Sequence, residues 1–180
     1  MTNIFDIRSY RFTGYESLFV DANVWLSFYG PVSYRNRQSE AYSSAWRRVQ
    51  KAGCKVFVDV LVLSEFINRF AREAFEQLTD DVGPERYKDY RDSAEFKQVA
   101  QEIEISARKI VSVAKCCDSG LPTVDLGSIL GRFGKGCMDF NDQIITEICK
   151  SRKFVLVTHD GDFSGEVMTL TANARLLSIQ

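Results

Sequence analysis

Apolar positions fall into two rhythms along this chain. Short continuous runs bounded by polar residues, SLFV (Ser17–Val20), CKVFV (54–58) and FVLVT (154–158), predict buried strands. VMTLTANARLL (167–177) predicts a closing strand at a sheet edge. Between the runs the period lengthens to that of a helix. Ala22–Tyr29 is expected to be helical, with Pro31 marking its exit. Residues 35–51 carry Tyr42, Trp46 and Val49 at i, i+4, i+7, and Gly53 stops that helix. This aromatic stripe suits a core face, and a seat for a partner helix is the alternative.

Asp59 is placed to cap the next helix, whose expected buried line is Leu63, Ile67, Phe70, Ala74 and Leu78. Glu65 stands about 200° around the helix from Leu63, pointing away from that line, with Asn68, Arg69 and Arg72 on its side. The charged stretch 79–92, with Gly83 and Pro84, predicts a surface connection. A long helix over 93–115 follows, with an apolar stripe of Phe96, Val99, Ile103, Ala107, Ile110 and Ala114. Asp92 and Glu95 have capping-box spacing at its start, Asp standing where a hydroxyl is usual. SILGRF predicts a further helix, and 139–152 another, with Ile144, Ile145 and Ile148 inward. Residues 1–17 show no clear period and are expected to be lead-in structure.

Strands alternating with helices predict an α/β sandwich with a mainly parallel sheet. In such sheets ligands collect beyond the carboxyl ends of the strands. Asp21 and Asp160 are both at such ends.

Composition narrows the classes. With 180 residues, 45% of them hydrophobic, and 3 prolines, residues 1–180 are expected to form a single domain. A net charge of −1 means that any nucleic acid must be met by a local basic patch. Five cysteines, Cys54, Cys116, Cys117, Cys137 and Cys149, lack C-x-x-C spacing and follow no secretory leader. They are expected to be reduced thiols in a cytoplasmic protein, adjacent Cys116 and Cys117 serving as packing residues. No apolar run approaches the ~20 residues that cross a bilayer, so no membrane partner is expected. The glycines of GKG do not make a phosphate loop, since Ile129 stands where its first Gly is needed and Gly136 where its hydroxyl belongs.

The remaining signal is acidic. Asp21, Glu65, the pair Asp139 and Asp142, and the pair Asp160 and Asp162 lie in four separate segments, each next to a core element. Taken singly, each has an ordinary reading: Asp21 and Asp139 as helix caps, Asp142 as a first-turn charge, Glu65 as an exposed helix residue, Asp160 and Asp162 as turn residues. Taken together, they would be gathered by an α/β sheet. Two carboxylates about 4 Å apart repel by about 4 kcal/mol at an effective dielectric of 20, so such a group needs protons or a cation. All-oxygen donors select Mg²⁺ or Mn²⁺ over zinc. The single histidine, His159, sits in a polar turn and is expected to be solvent-exposed rather than a base.

VDANVWL, the SEF helix, MDFNDQII and LVTHDGDF, in this order, resemble the PIN-domain nucleases, especially the VapC type of toxin-antitoxin ribonuclease. The resemblance implies a PIN-like three-layer α/β/α sandwich and a Mg²⁺- or Mn²⁺-dependent endoribonuclease leaving 5′-phosphate and 3′-hydroxyl ends. Asp21, Glu65, Asp142 and Asp160 match the family's acidic positions. Asp139 and Asp162 match accessory acids that would join them around the metal. Asn23 and Thr158 match polar positions that orient the acids. RNA is the implied partner, with Arg69 and Arg72 as candidates for its phosphates, and an antitoxin protein if the chain is a toxin. The oligomeric state is open, a homodimer included. The competing expectations are a non-catalytic PIN-like module that binds RNA or protein, and a phosphohydrolase of another fold. A D-x-D-x-T phosphatase would need Asp where Asn23 stands.

Overall fold

Two of the apolar runs form neighbouring central strands. In the computed structural model, which describes residues 3–31, 34, 37–79, 86–120, 124–136, 138–163 and 165–178, SLFV forms β2 (Ser17–Val20) and VLV forms β5 (Val155–Val157). They pair in parallel, Val20 opposite Val157, and all three residues of β5 are buried. Strands covered on both faces read as unbroken apolar runs because neither face can carry polar side chains. Around them lie β1 (Ile4–Asp6), β3 (Lys55–Val58), β4 (Lys115–Cys116) and β6 (Thr169–Thr171). The sheet is parallel throughout, in the order β1-β6-β5-β2-β3-β4.

Eight helices among the described residues complete a three-layer α/β/α sandwich: α1 (Ala22–Tyr29), α2 (Arg37–Ala52), α3 (Val60–Thr79), α4 (Tyr87–Arg91), α5 (Ala94–Val113), α6 (Leu126–Phe133), α7 (Phe140–Arg152) and α8 (Ala174–Leu177). Gly14 is required where the chain turns into β2: its φ is +89°, and a Cβ there would stand 2.4 Å from the Ala52 carbonyl oxygen. Asp59 caps α3, its Oδ1 accepting the Val62 N–H at 2.9 Å. No helix among the described residues is long and apolar enough to cross a membrane.

Several expectations are corrected. The 167–177 run is not an edge strand: β6 lies between β1 and β5, and the run ends in α8. The edge comes from residues 4–6, three residues being too few to show a period. On α3 the buried line is Val62, Phe66 and Phe70, with Ile67 and Leu78 each 38% exposed. That helix is apolar over so wide an arc that periodicity alone does not select its deepest line. Glu65 follows Val62 by three positions and so flanks the core instead of opposing it. Within 79–92, residues 80–85 lie outside the described residues. The rest is not plain connection, because α4 buries Tyr90 against Phe75, Tyr87 and Phe96. Helix α5 is capped by Ser93, not Asp92, the Ser93 hydroxyl accepting the Phe96 N–H at 3.2 Å. Cys116 is exposed in β4, so it is not a packing residue, and Cys137 lies outside the described residues.

Candidate active site at the carboxyl ends of the central strands

The chain leaves β2 toward β3 on one side of the sheet and, after returning, leaves β5 toward β6 on the other. The seam between β2 and β5 is therefore a topological switch point, where neighbouring crossovers diverge and leave a crevice at the carboxyl ends. Asp21 and Thr158 follow paired residues of these strands and come side by side.

Asp21 is 4% exposed and caps α1. One carboxylate oxygen accepts the Ala22 N–H at 2.6 Å; the other accepts Asn23 Nδ2 at 2.7 Å and the Thr158 hydroxyl at 2.6 Å. Asn23 also donates to Thr158 Oγ1 at 3.2 Å and accepts the His159 N–H at 2.9 Å. The Asp160 N–H donates to Thr158 Oγ1 at 3.0 Å. Asn23 thus fastens the start of α1 to the turn after β5. Asn23→Ala is expected to cost about 1–3 kcal/mol, because it unpairs the His159 amide and removes a donor from a buried carboxylate. A lower urea midpoint at unchanged slope would register it.

Burial raises the Asp21 carboxyl from 3.8 to about 6; bonding to Thr158 and Ala22 opposes this, and the charges of Glu65 and Asp160 reinforce it. Asp142, in the first turn of α7, is pushed to about 8, by burial first and then by the charges of Asp160, Asp21, Asp139 and Glu65. No donor among the described residues bonds its carboxyl. The structure therefore brings Asp21, Glu65, Asp142 and Asp160 within reach of one another's fields. Asp139, exposed, spends its side chain capping α7 through the Asn141 N–H at 2.8 Å. Asp162 is exposed; its N–H donates to Asp160 Oδ1 at 3.0 Å, and its own carboxylate lies 3.5 Å from Arg175.

Among the described residues, no group of three or more His, Cys, Asp or Glu side chains is arranged to hold a metal ion. The acids feel one another's charge without closing into one coordination shell. In donor chemistry and charge they suit a hard divalent cation: all are oxygens, and Asp142 is a carboxyl that a nearby cation would ionise.

Arg69 stands at the border of this region, 3.3 Å from Glu65 and 2.5 Å from the Tyr34 hydroxyl, its guanidinium over the Tyr34 ring. Arg72 turns elsewhere, its guanidinium 5.1 Å from the centroid of Tyr87. His159 is not freely exposed. Its Nδ1 lies 2.9 Å from the Tyr42 hydroxyl, and burial lowers its pKa while the Asp160 charge opposes the shift. Sequence reasoning missed the polar role of Tyr42. The available signal was a tyrosine on a core stripe, since a buried phenol needs a partner for its hydroxyl.

The sequence model of the PIN domain matches residues 18–165, most of the chain. The chain belongs to the PIN-domain family. The PIN domain is a nuclease-type fold, whose members are generally metal-dependent nucleases acting on nucleic acids. Among solved structures the chain is similar to that of PAE2754 from Pyrobaculum aerophilum, at 16% identity and a TM-score of 0.49, covering 93% of this chain and 97% of that one. No curated protein matches the chain.

Proposed function

We propose that this PIN domain is a Mg²⁺- or Mn²⁺-dependent endoribonuclease with Asp21, Glu65, Asp142 and Asp160 as its catalytic acids. The observation that carries this reading is that Asp21 and Asp142, both raised first by burial, are raised further by the charges of acids drawn from separate segments of the chain: Glu65 and Asp160 on Asp21, and Asp160, Asp21, Asp139 and Glu65 on Asp142. A protein gains nothing in stability from such a group, so the arrangement suits a site that takes up positive charge. The same four acids would hold the cation, with Asp139 and Asp162 able to join only by giving up their cap and their arginine. The chemistry such an ion supplies is Lewis-acidic, lowering the pKa of a water and offsetting charge on the scissile phosphate.

This chain's own residues do the rest. Thr158 and Asn23 fix the direction of the Asp21 carboxylate. Arg69 is the phosphate-binding candidate, because its partner Glu65 would turn to the cation and release it. Arg72 is a weaker one, being committed to Tyr87. We further propose that the enzyme acts in the cytoplasm, in keeping with free Cys54, Cys116, Cys117 and Cys149, and that it is a VapC-type toxin restrained by an antitoxin.

The test is incubation of a labelled single-stranded RNA with the protein in Mg²⁺, in Mn²⁺ and in chelator. Cleavage in both metals, none in chelator, and products ending in 5′-phosphate are expected. The second reading, a non-catalytic module binding RNA or protein, is favoured by the open spacing of the acids. Binding without cleavage in either metal would select it.

A further inference from the structure

The strands β5 and β6 part at a defined point. Leu156 N–H donates to Met168 O at 2.9 Å and Thr158 N–H to Leu170 O at 3.2 Å. In a parallel ladder of this register the next rung runs from the Ala172 N–H to the Thr158 carbonyl. The Tyr42 hydroxyl occupies that rung: Ala172 N–H donates to it at 3.0 Å, and it lies 3.0 Å from the Thr158 oxygen. His159 Nδ1 lies at 2.9 Å, and the Thr171 side chain bonds to the same oxygen.

The proton count at this oxygen is decisive. The Ala172 amide only donates and the Thr158 carbonyl only accepts. Thr158 is fully buried, and within the ladder the Tyr42 hydroxyl is what serves its carbonyl. The phenolic proton therefore goes to Thr158, which leaves the oxygen as an acceptor toward His159 and the Thr171 hydroxyl. Sending that proton to Nδ1 instead would set two oxygen lone-pair regions face to face at 3.0 Å and orphan a buried carbonyl. His159 Nε2 has no bonding partner among the described residues and is not sealed from solvent.

We propose that Tyr42 holds neutral His159 in the Nδ1–H tautomer, so that its bare Nε2, on the residue that precedes Asp160, accepts a hydrogen bond from the 2′-hydroxyl of a ribonucleotide. The inference rests on the endoribonuclease reading for its ligand. A strand lying against the acids presents its sugar-phosphate backbone, in which phosphates only accept and the 2′-hydroxyl is the one donor. A bare imidazole nitrogen is matched to that hydroxyl and to nothing in a DNA backbone. His159 is then a specificity-determining residue and Tyr42 its positioning residue.

Because His159 is the chain's single histidine, long-range ¹H–¹⁵N NMR reads its tautomer without ambiguity. The wild type is expected to be Nδ1–H, and Tyr42→Phe to move toward Nε2–H, the form that free imidazole side chains favour. Binding is then compared for a single-stranded oligoribonucleotide and its 2′-deoxy counterpart, in an Asp142→Asn background so that no cleavage interferes. His159→Ala is expected to weaken the ribo strand by roughly tenfold, the worth of one hydrogen bond, and to leave the deoxy strand unchanged. Tyr42→Phe should reduce the same ribo-to-deoxy ratio, which a merely loosened fold would not do. An Nε2–H wild type, or a ribose preference that survives His159→Ala, overturns the assignment. A protein with the expected tautomer and ribose preference that cuts neither strand would count against the nuclease reading alone.

Discussion

Asp142→Asn is expected to reduce Mg²⁺- or Mn²⁺-stimulated RNA cleavage by about 10²-fold or more while leaving the metal-free protein at least as stable as the wild type at pH 8. The two effects have one origin. The Asp142 carboxyl is raised to about 8 by burial and by the charges of Asp160, Asp21, Asp139 and Glu65, so its ionisation is costly unless a cation is present. Asn keeps the shape and removes that cost, but it also removes a negative ligand, worth several kcal/mol of cation-mediated stabilisation at the phosphate. Asp21→Asn should abolish cleavage too, but not cleanly. Both Asp21 oxygens accept hydrogen bonds, from Ala22 on one side and from Asn23 and Thr158 on the other. An amide group in that place points N–H groups at donors, so a loss of about 1–3 kcal/mol is expected. Steady-state cleavage and thermal melting of both variants make the comparison. An Asp142→Asn protein that melts normally and cuts RNA at the wild-type rate would remove the proposed mechanism.

The contrast between these two aspartates also marks what can be read from the sequence. Asp21 follows a strand whose pattern is unmistakable, and a strand-to-helix corner in a parallel α/β sheet has few places to go. Glu65 was harder. Its side of α3 depends on which of two overlapping apolar lines is deepest, and that is decided by packing rather than period. The accessory acids divide for the same reason. The spacing of Asp139 suits both a cap and a ligand, and the cap forms because it needs only its own helix. Asp162 has an arginine from α8 close by, an element whose residues had been taken for strand. The contact of Tyr42 with Thr158, His159 and Ala172 joins residues more than a hundred positions apart, which no local pattern encodes.

Without divalent ions the protein should lose stability as pH is raised, contrary to the usual behaviour of buried carboxylates that are paired. A group whose folded pKa exceeds its unfolded value contributes stability below the unfolded value and loses it as pH climbs through the folded one. For Asp21 the loss runs from the unfolded 3.8 up to about 6, and for Asp142 from 3.8 up to about 8, levelling off above those values. Glu16 works in the opposite sense, held near about 2 by its bonds with Thr13, the adjoining backbone and Cys54 despite the burial that opposes them, and it matters only in acid. Lowered by burial, His159 likewise favours the fold as pH rises toward its unfolded 6.5. Between pH of about 6.5 and 8.5 the Asp142 contribution therefore dominates. Unscreened it would be about 2 kcal/mol; after allowance for solvent screening of a partly exposed group it is on the order of 1 kcal/mol, or a fall in melting temperature of about 2–4 °C. Saturating Mg²⁺ or Mn²⁺ should restore the loss at the upper end of that range and do little near pH 5, where the acids hold their protons against the ion. Melting curves taken across this range, with cation and with chelator, distinguish the cases: if the two sets superimpose at pH 8, these carboxyls are not a cation site.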